Sequence, residues 1–313
     1  MLAVENISAG YGDGKVIQNL SFVVRKNEIY ILLGANGAGK TTTFRVITGI
    51  LPPSKGEVLV NGVNLWIEPE KAKKKIGYLP EGERVYPNLS VYKNLLFFSR
   101  IYGVSEGRIN EILKEFGLYE HRDKKAGELS RGLRKRLALA RALLHDPEVL
   151  VLDEPFSNLD VPSVMELRER IIEMLKEEKI VLFSTHILSE LQHFEGVNCR
   201  VGIIGDGKLV LEEKLENLIS LLRSVEVVLT VINKALALQV LKEKGYNTRA
   251  EGRNIVVSIS NYTSEVPEIT KVLAENGIGL LQVRPKEVPL EKLFMELSSG
   301  NETHRQEHSP DRG

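Results

Sequence analysis

The segment GANGAGKT, Gly34 to Thr41, lies directly between the apolar run IYILL and TTFRVITGI, which reads as a helix. Glycines spaced through so short a link let main-chain amides turn toward one point, and a helix that begins at once adds the partial positive charge of its N-terminus. This strand, loop, helix order is that of a glycine-rich phosphate loop. The amides from Gly37 to Thr42 are expected to face phosphate oxygens. Gly34, Asn36, Gly37, Ala38, Gly39, Lys40, Thr41 and Thr42 together form the candidate nucleotide-phosphate contact. Within it Lys40 would pair with the β and γ phosphates, and the Thr41 hydroxyl would ligate Mg²⁺.

A second apolar run, VLVLDEP, ends in two adjacent acids, Asp153 and Glu154. Alone, such a pair reads as a helix cap. In a chain with a phosphate loop, Asp153 is expected to hold Mg²⁺ through water, and Glu154 to polarise the attacking water as general base.

The segments around these motifs suggest an α/β organisation. LAVENISAGYG, NLSFVVRKN and EIYILLGA read as strands, and GEVLVNGVNL adds a hairpin-like piece. SVYKNLLFFSRIYG, GRINEILKEFGL and LSRGLRKRLALARALL then space their apolar residues as helices do, which predicts a helical subdomain over about 88–145. Strands return in EVLVLDEP, KIVLFSTH and RVGIIGDGKLVLEE, with the helix VPSVMELRERIIEMLKEE between the first two. Strands bridged by helices imply a parallel sheet with helices packed on it. After EKLENLISLLRS the texture becomes strand, helix, two strands, helix, strand, the order of a small ferredoxin-like α+β domain. The expected division is a cassette over 1–213, an accessory domain over 214–299 ending in the helix PLEKLFMELSSG, and a disordered tail over 300–313.

Charge and composition narrow the partners. The 42 basic and 42 acidic side chains cancel, so the summed field has no broad attraction for a polyanion and no nucleic acid is expected. Cys199 is the only cysteine, which excludes an intramolecular disulfide and argues against a thiolate metal cluster. No uninterrupted apolar stretch approaches the 18 or so residues of a spanning helix, and MLAVENISAGYG lacks a charged leader followed by an apolar run. Work at a membrane is therefore expected to run through a partner.

Between the two nucleotide motifs stands LSRGL, Leu129 to Leu133. SNLD follows the acids, STH ends a later strand, and a tyrosine between glycines, Tyr11, precedes the loop. The ordered set resembles the ATP-binding cassette (ABC) ATPases, whose signature is usually LSGGQ, and the resemblance covers Leu2 to about Glu213. It implies a P-loop cassette whose Ser130 and Gly132 meet the γ-phosphate held by the other cassette of a head-to-tail homodimer or heterodimer. It implies that Asp160 organises this contact, that Tyr11 stacks on adenine, and that His186 contacts the γ-phosphate and steadies water and Glu154. Arg134, Lys135 and Arg136 are then expected to form a solvated basic face on the signature helix.

Three positions, in two motifs, depart from the family pattern. Glu81 stands where the Q-loop glutamine is usual, a carboxylate that can still bind Mg²⁺ but adds negative charge near the phosphates. Arg131 and Leu133 replace the signature's first glycine and its glutamine. The segment YLPEGERVYPNLSVYKNL and the C-terminal domain look like those of ABC-2 type, drug-export-related ATP-binding proteins. The resemblance thus implies an ATPase motor on the cytoplasmic face of the cell membrane, bound to integral-membrane permease subunits. The aromatics of EGERVYPNLSVYKNLLFF are either its docking surface or core. The rival reading is a soluble cassette ATPase acting on ribosomes or DNA. Against it stand one phosphate loop, no heptad run and the neutral net charge.

Overall fold

In the computed structural model, which describes residues 1–12, 14–223, 226–259 and 262–286 (220–223 and 263 by backbone only), the N-terminal alternation becomes two long strands, β1 (Leu2–Tyr11) and β2 (Gly14–Val24). The chain continues through β3 (Glu28–Leu33), α1 (Lys40–Ile47), β4 (Lys55–Val60), β5 (Val63–Asn64), α2 (Pro69–Lys73) and β6 (Ile76–Leu79). A helical stretch follows: α3 (Val91–Tyr102), α4 (Glu106–Glu115) and α5 (Arg131–Leu143). Then come β7 (Val149–Leu152), α6 (Val161–Lys176), β8 (Ile180–Thr185), β9 (Cys199–Gly205) and β10 (Lys208–Lys214).

These elements form one compact unit, Met1–Lys214. Strands β2, β1, β4 and β5 make an antiparallel sheet in that order, and β10, β9, β3, β8, β7 and β6 make a second. Every pair in the second sheet is parallel except β10 with β9. All residues of β3, β7 and β8 are buried, as strands covered on both faces must be. Phe44, Val46 and Ile47 of α1 share one core with Val4 and Ile7 of β1, Leu32 of β3 and Val151 of β7. The helix that follows the glycine-rich loop is thus wedged against both sheets.

Register places the chemistry. Leu33 pairs with Thr185, Phe183 with Leu152, and Leu152 with Leu79, so the loops after β3, β6, β7 and β8 leave one carboxyl edge of the parallel sheet. That edge is where ligands bind in open α/β sheets. The segment IGYLP supplies β6, a strand too short for its period to be legible beforehand.

Ser90 caps α3, its Oγ accepting from the Lys93 amide at 3.2 Å. Buried Asn94 fixes the turn before it, donating to the carbonyls of Tyr86, Leu89 and Ser90 while its Oδ1 accepts from the Tyr86 amide. The aromatics it presents are surface residues. Tyr86 and Phe97 are 45% and 47% exposed, cluster with Phe98, and adjoin Ile101 at 60%. Among the described residues no helix is long and apolar enough to cross a membrane.

The second unit begins at Leu215 with α7 (Leu215–Arg223). It continues as β11 (Glu226–Val231), α8 (Lys234–Glu243), β12 (Asn247–Glu251), β13 (Asn254–Ser258), α9 (Tyr262–Glu275) and β14 (Leu280–Pro285). Its sheet runs β12, β13, β11, β14, each neighbour antiparallel. Val227, Leu229, Ile255 and Val257 pack on Ala237 and Leu241 of α8 and Ile269 and Leu273 of α9, a core of its own. The expected helix PLEKLFMELSSG and the tail over 300–313 lie outside the described residues.

Candidate active site

The loop after β3 is shaped by two glycines that nothing else could replace. A Cβ on Gly34 would lie 2.6 Å from the Ile204 carbonyl oxygen, so β9 can approach only a bare backbone. Gly39, the residue before α1, has φ of +107°, a conformation that L side chains rarely adopt. The turn delivers Lys40 as the first residue of α1 with its side chain folded over the loop. Its Nζ donates to the Gly34 and Ala35 carbonyls at 2.7 and 3.1 Å and lies 3.7 Å from Glu154 Oε1. Burial holds this ammonium below the usual lysine range, against the pull of Glu154 and Asp153. Of the loop amides, that of Ala38 is used internally, donating to Ala35. The first-turn amides of a helix have no intrahelical acceptor, which leaves such a loop suited to an anion.

The acids at the end of β7 are held differently from each other. Asp153 is fully buried, and its Oδ1 accepts from the Ser184 hydroxyl at 2.6 Å. Its Oδ2 has no hydrogen-bond partner among the described residues. Burial raises this carboxyl above the ordinary range, opposed by the Ser184 and Thr41 hydroxyls. A buried carboxylate with one bare oxygen beside a threonine hydroxyl is a donor set that fits a hard cation.

Glu154 has φ of +46°, a sparsely populated conformation for a residue with a side chain. Its amide donates to Ser184 Oγ at 2.9 Å, and its carbonyl accepts from the Ser157 hydroxyl at 2.9 Å. The carboxylate so aimed meets His186 Nδ1 at 3.0 Å. A carboxylate between an ammonium and an imidazole, next to a phosphate loop, can take a proton from water.

Most of the expected residues share one place. Tyr11, Asn36, Gly37, Gly39, Lys40, Thr41, Thr42, Glu81, Glu154 and His186 line one cleft, and Thr41, Glu81 and Asp153 line an adjoining one. Gly34 and Ala38 are buried in the loop's base. Tyr11 is half exposed and accepts from Arg45 Nη1 at 2.6 Å. Ser130, Gly132 and Asp160 do not reach this cleft. They line a separate one with Asn158 and Ser163, where Ser130 caps α5 by accepting from the Leu133 amide at 3.3 Å.

The expected basic face on α5 is not a solvated one. Lys135 is 4% exposed and its Nζ donates to the Glu154 carbonyl at 3.3 Å. Burial brings its ammonium down to about 8. Arg134 donates to the Leu129 carbonyl at 2.5 Å, and Arg136 pairs with Glu166 on α6. Arg131 meets Glu83 with Nε to Oε1 at 3.0 Å, giving the arginine in the signature a partner from the loop after β6. In sequence, Ser184 and Glu83 have no assigned role and Lys135 is placed on a solvated face. Only Ser184 carries a signal there, a hydroxyl inside an apolar strand.

Comparison with known proteins shows the family. A family model described as ABC transporter matches residues 17–157. The chain is 34% identical to the bacitracin transport ATP-binding protein BcrA of Bacillus licheniformis, over 96% of this chain and 98% of that one. It is 38% identical to the Nod factor export ATP-binding protein I of Burkholderia orbicola, over 66% of this chain and 68% of that one. The dimeric structure of MJ0796, a bacterial ABC transporter cassette, is similar with a TM-score of 0.61 at 25% identity, covering 69% of this chain and 99% of that one. With a phosphate loop, an acid pair at the end of a buried strand and a likeness that runs nearly end to end, the chain belongs to the ATP-binding proteins of the ABC transporter family and is an ATPase.

Proposed function

We propose that the chain is the motor of a membrane exporter and that the residues of its cleft divide the work of ATP hydrolysis as follows. Adenine stacks on Tyr11, and the triphosphate lies along the loop from Gly34 through Asn36, Gly37, Ala38 and Gly39 to Thr42. Lys40 leaves the carbonyls it now holds to pair with the β and γ phosphates. Thr41, Asp153 and Glu81 hold Mg²⁺, which when bound neutralises charge on the phosphate oxygens. Glu154 accepts a proton from the attacking water while His186 keeps its carboxylate aimed. The observation that carries the reading is the Glu154 carboxylate, set 3.0 Å from His186 Nδ1 and 3.7 Å from Lys40 Nζ.

Ser130, Gly132 and Asp160 serve a second copy. Their cleft is separate from the loop's, so a single chain cannot bring them to its own nucleotide. Two cassettes head to tail, identical or different, would close each nucleotide between the loop of one and the Ser130 tip of the other. The exposed Tyr86, Phe97 and Ile101 suit docking of an integral-membrane subunit, which would hold the motor at the cytoplasmic face of the membrane. Export is the direction supported by the relative named for Nod factor export. The second unit has the strand order of a ferredoxin-like sheet and is assigned as the accessory domain over 214–299.

Two measurements test this reading. Tyr11→Ala weakens ATP binding about tenfold in titration calorimetry, the loss of one base-stacking platform; an unchanged affinity removes Tyr11 from the site. Purification of the tagged chain from native membranes recovers a polytopic membrane protein. Recovery of ribosomes in its place favours the soluble rival.

A further inference from the structure

Lys135 differs from the other cations of its helix. Arg131 and Arg136 meet acids near the surface, whereas Lys135 is 4% exposed and reaches the main-chain oxygen of Glu154 at 3.3 Å. Burying an ammonium is unfavourable without compensation, and packing alone would be met by an apolar side chain. Nor does the Glu154 oxygen depend on it for a donor. The Ser157 hydroxyl at 2.9 Å and the Ser157 amide at 3.3 Å already serve that oxygen.

What Lys135 adds is a cross-connection. At one end of it is α5, whose tip carries Ser130 in a cleft separate from the phosphate loop. At the other is a residue with φ of +46°, a conformation that persists only where the surroundings over-determine it. Ser184 fixes the amide side of Glu154, and Lys135 with Ser157 fixes the carbonyl side. A rigid helix joined to such a residue can pass a small displacement to the carboxylate.

We propose that Lys135 is a positioning residue whose ammonium ties the Ser130 tip of α5 to the main chain of Glu154, so that phosphate contact at the tip sets the aim of the carboxylate. It rests on the head-to-tail reading above, in which the tip serves one nucleotide and Glu154 the other. Occupancy of one site is thereby felt in the chemistry of its twin.

The test is steady-state ATP hydrolysis by the full chain. Lys135→Met lowers kcat about tenfold and leaves KM for ATP within about twofold, the pattern of an interaction that matters only in the transition state. Lys135→Arg, which restores a cation, recovers most of the loss. Ser130→Ala slows turnover by itself, and the double variant Ser130→Ala/Lys135→Met is no slower than the slower single, because both cut one link. Should the methionine variant fail to fold, Lys135→Gln is read by the same criteria. Wild-type kcat in Lys135→Met, a change confined to KM, or additive losses in the double variant each overturn the proposal while leaving the head-to-tail reading intact. A silent Ser130→Ala instead overturns that reading and the relay with it.

Discussion

Glu154→Gln retains ATP and turns it over at least about a hundredfold more slowly than the native chain, the usual order of a lost general base. Glutamine matches the shape of glutamate and its backbone is unaffected by the change. The amide of residue 154 still donates to Ser184 Oγ, and its carbonyl still accepts from Ser157 and Lys135. His186 keeps an oxygen within reach, so the site stays assembled. What is lost is a group able to accept a proton from water. The ion pair that now draws Lys40 toward Glu154 also goes, which frees the ammonium for phosphate, so affinity is preserved or improved. A phosphate-release assay beside nucleotide titration separates the two effects. Native turnover in this variant contradicts the assignment of the base.

Lys40→Ala has the opposite signature, with binding failing first. The ammonium sits in the fold of the loop, donating to Gly34 and Ala35, and a charge-assisted bond of this kind contributes about 1.5–3 kcal/mol. ATP affinity is expected to fall roughly ten- to a hundredfold, since about 1.4 kcal/mol is a factor of ten. The fold survives, because Phe44, Val46 and Ile47 hold α1 in the core without help from Lys40. Titration calorimetry that returns the native affinity contradicts the phosphate-loop reading.

How much of this was legible in the sequence follows from how local each constraint is. The phosphate loop was legible because its glycines and Lys40 are packed between an apolar strand and a helix, and Gly39 answers to a local backbone conformation, φ of +107°, that favours glycine; the demand on Gly34 comes instead from the distant Ile204 carbonyl of β9. The acids were legible because a buried strand that ends in two carboxylates needs a reason. The strands β3, β7 and β8 showed themselves as apolar runs, and α3, α4 and α5 through their period. By contrast, β6 is four residues long and is a strand only because β7 lies beside it. The basic run on α5 was misread for a similar reason. Charge is visible in sequence, but whether Lys135 faces water depends on the loop after β7 packing over it. Glu83 and Ser184 act through partners 48 and 31 residues away, Arg131 and Asp153, and no spacing rule links such pairs. The aromatics near Tyr86 had two open readings, and exposure decides for surface.

The central claim is that a nucleotide is held between two cassettes, in the simplest case two copies of this chain, the loop of one and the α5 tip of the other. A structure of the Glu154→Gln chain with Mg²⁺ and ATP tests it most directly. The account predicts a symmetric pair with Ser130 Oγ of one protomer within hydrogen-bond distance of the γ-phosphate on its partner's Lys40. A nucleotide bound to the loop with no second copy's Ser130 near it would contradict the account.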